Sequence, residues 1–317
     1  MSKTSKTVYE EIRSQGLSRR EFLKFCGTMA AMMGLGTSGI AQVAKALETK
    51  TRIPVLWMHL QECTGCSESF IRSSHPAIAD IVFDKISLDY TETLMAASGK
   101  KAEKSFYDTI ENHRGEYILM VEGSVPTKNA GYCTIGGKNA LDDLKLAADG
   151  AKVILALGSC AAQGGLASAL PNPTGAKAVH DVIRRTPVIN IPGCPPIACV
   201  MTGIVVHILT FDSLPELDAL NRPKVFYSNS VHNTCYRRAH YENGRFVERF
   251  DGENARKGYC LYWLGCKGPN TYSACGITRW NCGISNAIQS GHPCIGCTEA
   301  KFWDNGPFYT HLAEILD

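Results

Sequence analysis

The first part of the chain alternates short apolar runs with amphipathic segments. Five runs are predicted to be strands: residues 53–60, 86–90, 117–123, 152–158 and 187–191. Three segments between them have the helical spacing of apolar positions: residues 93–114, 141–148 and 175–185. Runs that are apolar throughout, such as 152–158, are typical of strands covered by helices on both faces. The alternation predicts an α/β fold with a doubly wound parallel sheet.

The pattern changes from about Leu214 onward. Apolar periodicity fades there, and glycine, proline, asparagine, cysteine and tryptophan become frequent. A region of roughly 100 residues with weak secondary structure is too small to form a self-sufficient core, so cross-links such as metal sites or disulfides must stabilise it. We therefore expect two domains, at residues 47–214 and 215–317, of which the second is smaller and mostly irregular.

The residues before the first strand follow the order of an export signal. Residues 18–24, SRREFLK, form a twin-arginine motif, and a glycine- and alanine-rich apolar segment follows to about residue 44. Residues 44–46, Ala-Lys-Ala, suit a small-x-small cleavage site. The alternative is an amphipathic helix with two chance arginines. We expect residues 1–46 to be a twin-arginine signal peptide, a route that exports folded proteins, usually with cofactors installed, to the periplasm.

The positive charge of the chain comes from this segment. The whole sequence has a formal net charge of +3, and residues 1–46 hold seven Lys/Arg and three Asp/Glu, a net of +4, so the remainder carries −1. Such a balance gives no indication of a nucleic-acid surface. No later segment offers about 18 uninterrupted apolar residues, so we expect no transmembrane anchor in the chain itself.

Cysteines follow three of the five predicted strands. The first strand leads into Cys63 and Cys66, the fourth into Cys160, and the fifth into Cys194. Because the carboxyl ends of parallel strands share one edge of a sheet, these four thiols should converge. Four thiolates suit a cubane [4Fe–4S] cluster. The alternative is four buried cysteines without a ligand.

The second region contains two further groups of candidate ligands. One group joins a histidine to three cysteines: His232, Cys235, Cys260 and Cys266. The other has three cysteines: Cys275, Cys294 and Cys297. Cys282 is a candidate fourth ligand of the latter, since three cysteines suit a [3Fe–4S] cluster and four suit a [4Fe–4S] cluster. Zinc ribbons or disulfides formed after export are the alternatives.

Taken together, these motifs closely resemble those of the small subunit of periplasmic [NiFe] hydrogenases. The matching segments are residues 62–68 (ECTGCSE), 86–90 (ISLDY), 158–160 (GSC), 190–196 (NIPGCPP), 264–269 (LGCKGP) and 291–297 (GHPCIGC). The resemblance implies a flavodoxin-like first domain that holds a proximal [4Fe–4S] cluster. It also implies a distal, histidine-ligated [4Fe–4S] cluster and a medial [3Fe–4S] cluster in the second domain. The three groups of ligands are therefore called the proximal set (Cys63, Cys66, Cys160, Cys194), the distal set (His232, Cys235, Cys260, Cys266) and the medial set (Cys275, Cys294, Cys297).

The resemblance also implies an activity and partners. The chain would carry electrons between a Ni–Fe site in a separate large subunit and a redox partner, while H2 is reversibly oxidised to two protons and two electrons. The partner would be a soluble cytochrome or a membrane quinone-linked subunit, which could associate the protein with the membrane. Glu92 and, more weakly, Glu62 match acids near a proton exit, although surface carboxylates are the simpler interpretation.

The chain departs from the family pattern at one place, and two other interpretations of it remain. The family usually has Trp-Pro before the last CxxC segment, where this chain has Asn286 and Ala287. A cysteine in place of that proline gives some relatives a medial [4Fe–4S] cluster, and this chain lacks it there. The chain could instead be an iron–sulfur subunit of a related respiratory oxidoreductase. It could also be an exported binding protein stapled by zinc or disulfides.

Overall fold

A five-stranded parallel sheet forms the centre of the first domain. The computed structural model describes residues 18–49, 52–73, 78, 86–281, 283–306 and 308–309. The strands are β1 Ile53–His59, β2 Ile86–Thr91, β3 Ile118–Glu122, β4 Val153–Leu157 and β5 Val188–Ile191. Their order in the sheet is β2-β1-β3-β4-β5, and every neighbouring pair is parallel. This is the strand order of flavodoxin-like folds, so the predicted fold class is confirmed.

Helices connect and cover these strands. In chain order they are α1 Arg19–Met32, α2 Thr37–Thr49, α3 Gly65–Ile71, α4 Lys100–Asn112, α5 Ala140–Gly150, α6 Gly158–Gln163, α7 Val179–Val182 and α8 Ala198–Phe211. Short 3-10 turns lie at Ala130–Tyr132 and Leu166–Ser168, and a two-residue hairpin pairs Thr134–Ile135 with Lys138–Asn139. The predicted helix at 93–114 begins only after Gly99, whose φ is 55°. The segment 175–185 forms one turn of helix, α7.

The sheet buries both of its faces, as the apolar runs require. On one face, Trp57 of β1 and Leu155 of β4 pack in a core with α3 and α8. On the other face, Leu119 of β3 and Ile154 of β4 pack with α4 and α5. Neighbouring residues of a strand point to opposite faces, so a strand with apolar residues throughout supplies both cores.

Helices α1 and α2 pack against the α8 side of the sheet. Cys26 and Met29 of α1 and Val43 of α2 are buried in the same core as α8. The predicted cleavage site at residues 44–46 lies within α2, where Ala44 and Ala46 are buried. Residues 1–17 of the predicted signal lie outside the described residues. The removal of residues 1–46 stays a prediction.

The second domain consists of turns around a small core. Its helices are α9 Lys224–Tyr227, α10 Arg238–Glu242, α11 Glu253–Arg256 and α12 Cys275–Thr278, with 3-10 turns at Tyr262–Leu264 and Gly268–Asn270. The core consists of Val231, Val247, Leu261, Leu264 and Ile288. Thiols of the distal and medial sets pack against it. Over the described ranges of the whole chain, no helix combines the length and apolar character needed to cross a membrane.

Gly123 offers a test of how tightly the carboxyl edge of the sheet is built. Its φ is +95°, and a Cβ placed there would lie 2.8 Å from backbone atoms of Gln61. We expect Gly123→Ala to lower stability by about 1–3 kcal/mol more than the strain of a positive φ alone, which costs about 1–2 kcal/mol. The measurement is the thermal unfolding midpoint by circular dichroism at one fixed scan rate.

Gly115→Ala is the matched control for this change. Gly115 also has a positive φ, +80°, but a Cβ there would have no neighbour within 4 Å. Its midpoint should fall only by the strain of the backbone. Equal losses in the two variants would show that the contact with Gln61 is not tight.

Candidate metal centres

The proximal set converges at the carboxyl edge of the sheet. Cys63 and Cys66 flank the start of α3 after β1, Cys160 lies in α6 directly after β4, and Cys194 follows β5. Burial raises the pKa of Cys66, and the negative charges of Glu122 and of the other three thiolates raise it further. Thiolates close enough to repel one another in this way need a cation to remain deprotonated together.

Tight backbone turns make room for these sulfurs. Thr64 adopts a left-handed conformation immediately before α3, with φ 63°. Gly158, at the start of α6, has φ +82°, and a Cβ on it would lie 2.4 Å from the Cys66 sulfur. A side chain at this strand end would therefore occupy the space that the thiol needs.

Glu122, the last residue of β3, fixes the position of Cys66 through hydrogen bonds to the start of α3. One oxygen of the carboxylate accepts a hydrogen bond from the Cys66 amide at 2.8 Å. The other accepts from the Ser67 amide at 3.0 Å and from the Ser67 hydroxyl at 2.7 Å. Glu122 is 1% exposed. An acid at the start of a helix interacts favourably with its free amides, so the fold uses Glu122 to anchor α3.

The distal set surrounds a small cavity of the second domain. The cavity is lined by all four members of the set and by Arg237. Burial raises the pKa of Cys260, and the Cys266 and Cys235 thiolates raise it further. The Arg237 backbone amide donates a hydrogen bond to the Cys235 sulfur at 3.4 Å. The turns of the second domain thus bring together candidate ligands that are far apart in the sequence.

The medial set lines a larger cavity, of about 350 Å³, between the two domains. Cys275, Cys294 and Cys297 line it together with Cys194 of the proximal set. Burial, followed by the charge of the Cys266 thiolate, raises the pKa of Cys294 to about 12. The remaining walls of this cavity are mainly apolar side chains and backbone. Cys282, the candidate fourth ligand, lies outside the described residues.

The medial set contacts both of the other sets. Cys194 of the proximal set lines the same cavity as Cys297, and the Ser159 hydroxyl, next to Cys160, donates to the Cys297 carbonyl. On the opposite side, the Cys294 amide donates to the Cys266 sulfur at 3.3 Å. The order of the three sets in space is therefore proximal, medial, distal.

The donor chemistry fits iron–sulfur clusters. The described cysteines are all free thiols. Within the described part of the chain, no three His, Cys, Asp or Glu side chains are placed to share a single metal ion. The members of the distal set line one cavity and those of the medial set line another, an arrangement that suits a cluster of several irons better than one zinc. Soft thiolates with one imidazole are the ligands that such clusters use.

A buried histidine links three carboxylates next to the proximal set. His59 Nδ1 lies 3.5 Å from Glu62 and 3.8 Å from Glu122. The His59 amide donates to Glu92 at 3.1 Å. Burial lowers the pKa of His59 to about 4 and raises the pKa of Glu92 to about 7. His59 is neutral at pH 7, and Glu92 can gain or lose a proton there.

Neither His59 nor Glu122 was predicted as a site residue. His59 is a single histidine near the end of an apolar run, with no other candidate ligand at a regular spacing from it in the sequence. Glu122 is a single acid at the end of an apolar strand, which is the only sign of it in the sequence. Glu62 lies 3.5 Å from His59 Nδ1, and Glu92 lies 3.8 Å from His59 Nε2.

Two family descriptions match different parts of the chain. The "NADH ubiquinone oxidoreductase, 20 Kd subunit" family matches residues 63–208, and the family of the C-terminal region of NiFe/NiFeSe hydrogenase small subunits matches residues 227–309. The first match explains why a respiratory protein was a reasonable alternative for the first domain. The second covers the distal and medial sets.

Full-length relatives and solved structures agree with the second match. The chain is 55% identical to the uptake hydrogenase small subunits of Afipia carboxidovorans and Cupriavidus necator, over 98% of its own length and 85% and 86% of theirs. The [NiFeSe]-hydrogenase of Dm. baculatum has a chain that superposes with a TM-score of 0.77 at 36% identity. That superposition covers 83% of this chain and 100% of the other.

The anchoring role of Glu122 can be tested by substitution. Glu122→Gln replaces one accepting oxygen by a donor that faces the Ser67 and Cys66 donors, and each unsatisfied buried donor costs about 1–3 kcal/mol. We expect a lower unfolding midpoint and a lower iron content per purified chain. Thermal unfolding and colorimetric iron analysis measure the two effects.

Glu116→Gln serves as the control, because Glu116 is an exposed acid that pairs only with His113 at 3.3 Å among the contacts described. It should leave both quantities unchanged. If Glu122→Gln has the same iron content per chain and the same unfolding midpoint as Glu116→Gln, Glu122 does not anchor the proximal set.

Proposed function

We propose that this chain, which belongs to the family of [NiFe] hydrogenase small subunits, relays electrons between the Ni–Fe site of a large subunit and a redox partner during reversible H2 oxidation. The observation that carries the proposal is the row of three ligand sets, in which the medial set lies next to both others. A row of adjacent redox centres is what a one-electron relay requires. The second domain, with one histidine among its ligands, favours this role over the respiratory alternative.

We assign a [4Fe–4S] cluster to the proximal set, a [4Fe–4S] cluster to the distal set and a [3Fe–4S] cluster to the medial set. When bound, each cluster takes up and gives up one electron. The chain's own part is to hold the irons by thiolates, to exclude water with buried walls and to set the potentials by nearby charge. Ala287, where some relatives have a ligand, contributes only to the wall of the medial cavity, which supports three irons there.

The remaining assignments follow from family membership and sequence. Residues 1–46 would direct export by the twin-arginine pathway to the periplasm, residues 47–214 form the flavodoxin-like domain, and residues 215–317 form the domain of the medial and distal clusters. The Ni–Fe site would belong to the large subunit. Electrons would leave from the distal cluster to a cytochrome or a membrane quinone-linked subunit.

Glu92 and Glu62 would pass protons on the large-subunit side. Glu92 is positioned by the His59 amide and by the Tyr90 hydroxyl, which donates to it at 3.1 Å. With a pKa of about 7, its carboxyl can bind and release a proton at neutral pH. Neutral His59 lies between Glu92 and Glu62 and could transfer a proton from one to the other.

The function is tested first by composition. Purified under anaerobic conditions, the protein should be brown, accompany a larger nickel-containing chain, and hold roughly eleven irons per copy of this chain. Cys275→Ser should lose the [3Fe–4S] electron paramagnetic resonance signal, while Cys199→Ser, a cysteine of α8 outside the three sets, should keep it. Colourless protein with zinc, or a stable, active monomer without a nickel-containing partner, would rule out the proposal.

The proton relay is tested by its dependence on pH. Glu92→Gln cannot exchange a proton, so H2 oxidation by the two-subunit enzyme should fall by about tenfold or more and lose the part of its pH profile that titrates near pH 7. Reduction of the clusters by dithionite should be unchanged, because the change is in proton transfer alone. An unaltered rate and pH profile would assign the relay to other residues.

The same carboxyl should affect stability. Its pKa rises from an ordinary 4.5 to about 7 on folding, so the folded state binds the proton more tightly. The stabilising contribution is complete below pH 4.5 and is lost as the pH rises through 7. Unfolding midpoints of Glu92→Gln should therefore decline less than those of the unchanged protein between pH 5 and 8, and parallel declines would contradict the raised pKa.

A further inference from the structure

We propose that the Arg237 guanidinium is the counter-charge of the distal centre and raises its reduction potential. The inference deepens the proposed function and rests on the distal set holding a cluster. Arg237 is 5% exposed and lines the same cavity as His232, Cys235, Cys260 and Cys266.

The guanidinium is fixed by neutral groups. Its Nε donates to the Tyr236 hydroxyl at 2.6 Å, and Nη1 donates to the Tyr259 carbonyl at 2.7 Å. Its carbon lies 5.3 Å from the centre of the Tyr236 ring, within cation–π range. These contacts orient the group without neutralising its charge.

Arg222 is the other arginine that is buried in the described part of the chain, and comparison with it shows what is unusual about Arg237. Arg222, 6% exposed, pairs with Asp218 at 2.8 Å and with Glu299 at 3.2 Å. None of the ion pairs formed among the described residues includes Arg237. A buried charge without a partner is costly, so the fold requires an anion near Arg237.

The anionic groups within reach are the thiolates of the distal set. The charge of Arg237 favours the deprotonated forms of Cys235, Cys260 and Cys266, against the burial that raises the pKa of each. Once these thiolates hold a cluster, the bound group is the missing anion. The cavity thus pairs one fixed positive charge with one redox centre.

Electrostatics determines the direction in which Arg237 shifts the reduction potential of the distal centre. Each one-electron reduction adds a negative charge to the centre, and a positive charge held in a poorly solvated cavity stabilises the reduced state more than the oxidised one. The electron arrives from the medial side, through the contact of Cys294 with Cys266, and leaves to the acceptor. A neutral imidazole ligand acts in the same direction, so His232 and Arg237 together favour an electron on the distal centre.

The test is a potentiometric titration of the complete two-subunit enzyme, with the distal signal followed by electron paramagnetic resonance. Arg237→Gln should lower the distal midpoint potential by at least the equivalent of a tenfold change in the reduction equilibrium, 59 mV for one electron. Arg237→Lys keeps the charge and should retain most of the potential. Arg256→Gln, an exposed arginine of α11, should leave it unchanged.

Each outcome of this titration either supports the role of the Arg237 charge or overturns it. An unchanged potential in Arg237→Gln with an intact distal signal overturns this inference but leaves the proposed function standing. Equal shifts in the Gln and Lys variants also overturn it, because hydrogen bonds and not charge would then matter. Absence of any distal signal in the unaltered enzyme instead refutes the proposed function.

A second variant covers the case in which Arg237→Gln does not retain the centre. Arg237→His carries a charge that depends on pH. Its distal potential should fall, relative to that of the unaltered enzyme, as the pH rises through the pKa of the new imidazole. Equal distal potentials of Arg237→His and the unaltered enzyme at high pH, where the imidazole is neutral, overturn the inference.

Discussion

The structure depends on holding buried thiolates close enough together that they repel one another. Burial alone raises the pKa of these cysteines, so without metal they are protonated, and binding of metal must release their protons. In the first domain the sheet supplies the geometry, because parallel strands bring three loops to one edge. In the second domain a five-residue core is too small to position the ligands by packing. There, metal binding and folding have to be coupled.

Much of the fold could be predicted because apolar runs mark strands that are buried on both faces. Several helices could not be placed well from the sequence, and three of them show the physical reasons. Helix α8 is buried nearly all round, so it has no polar stripe to give the helical period. Helix α4 starts after Gly99, which adopts a positive φ and ends the preceding turn. Helix α7 stops at Val182, one turn after it begins.

The candidate ligand sets could be grouped from the sequence, whereas the residues next to them, Glu122 and Arg237, could not be singled out. Cysteines and the histidine are rare residue types, and their positions at strand ends and in CxxC pairs carry information. Glu122 acts on Cys66, which lies 56 residues away in the chain, and only the register of β1 against β3 brings them together. Arg237 is one arginine among several in its region, and it differs from buried Arg222 in forming no ion pair among the described residues.

The change of pattern near Leu214 does not separate two independent bodies. The Ser159 hydroxyl of the first domain donates to the Cys297 carbonyl of the second, and Gln163 donates to the Thr298 carbonyl at 2.9 Å. Cys194 itself contributes to the wall of the medial cavity. A shift of one domain would therefore change the distance between the proximal and medial sets. Because electron transfer requires adjacent centres, the interface between the domains belongs to the relay as much as the ligands do.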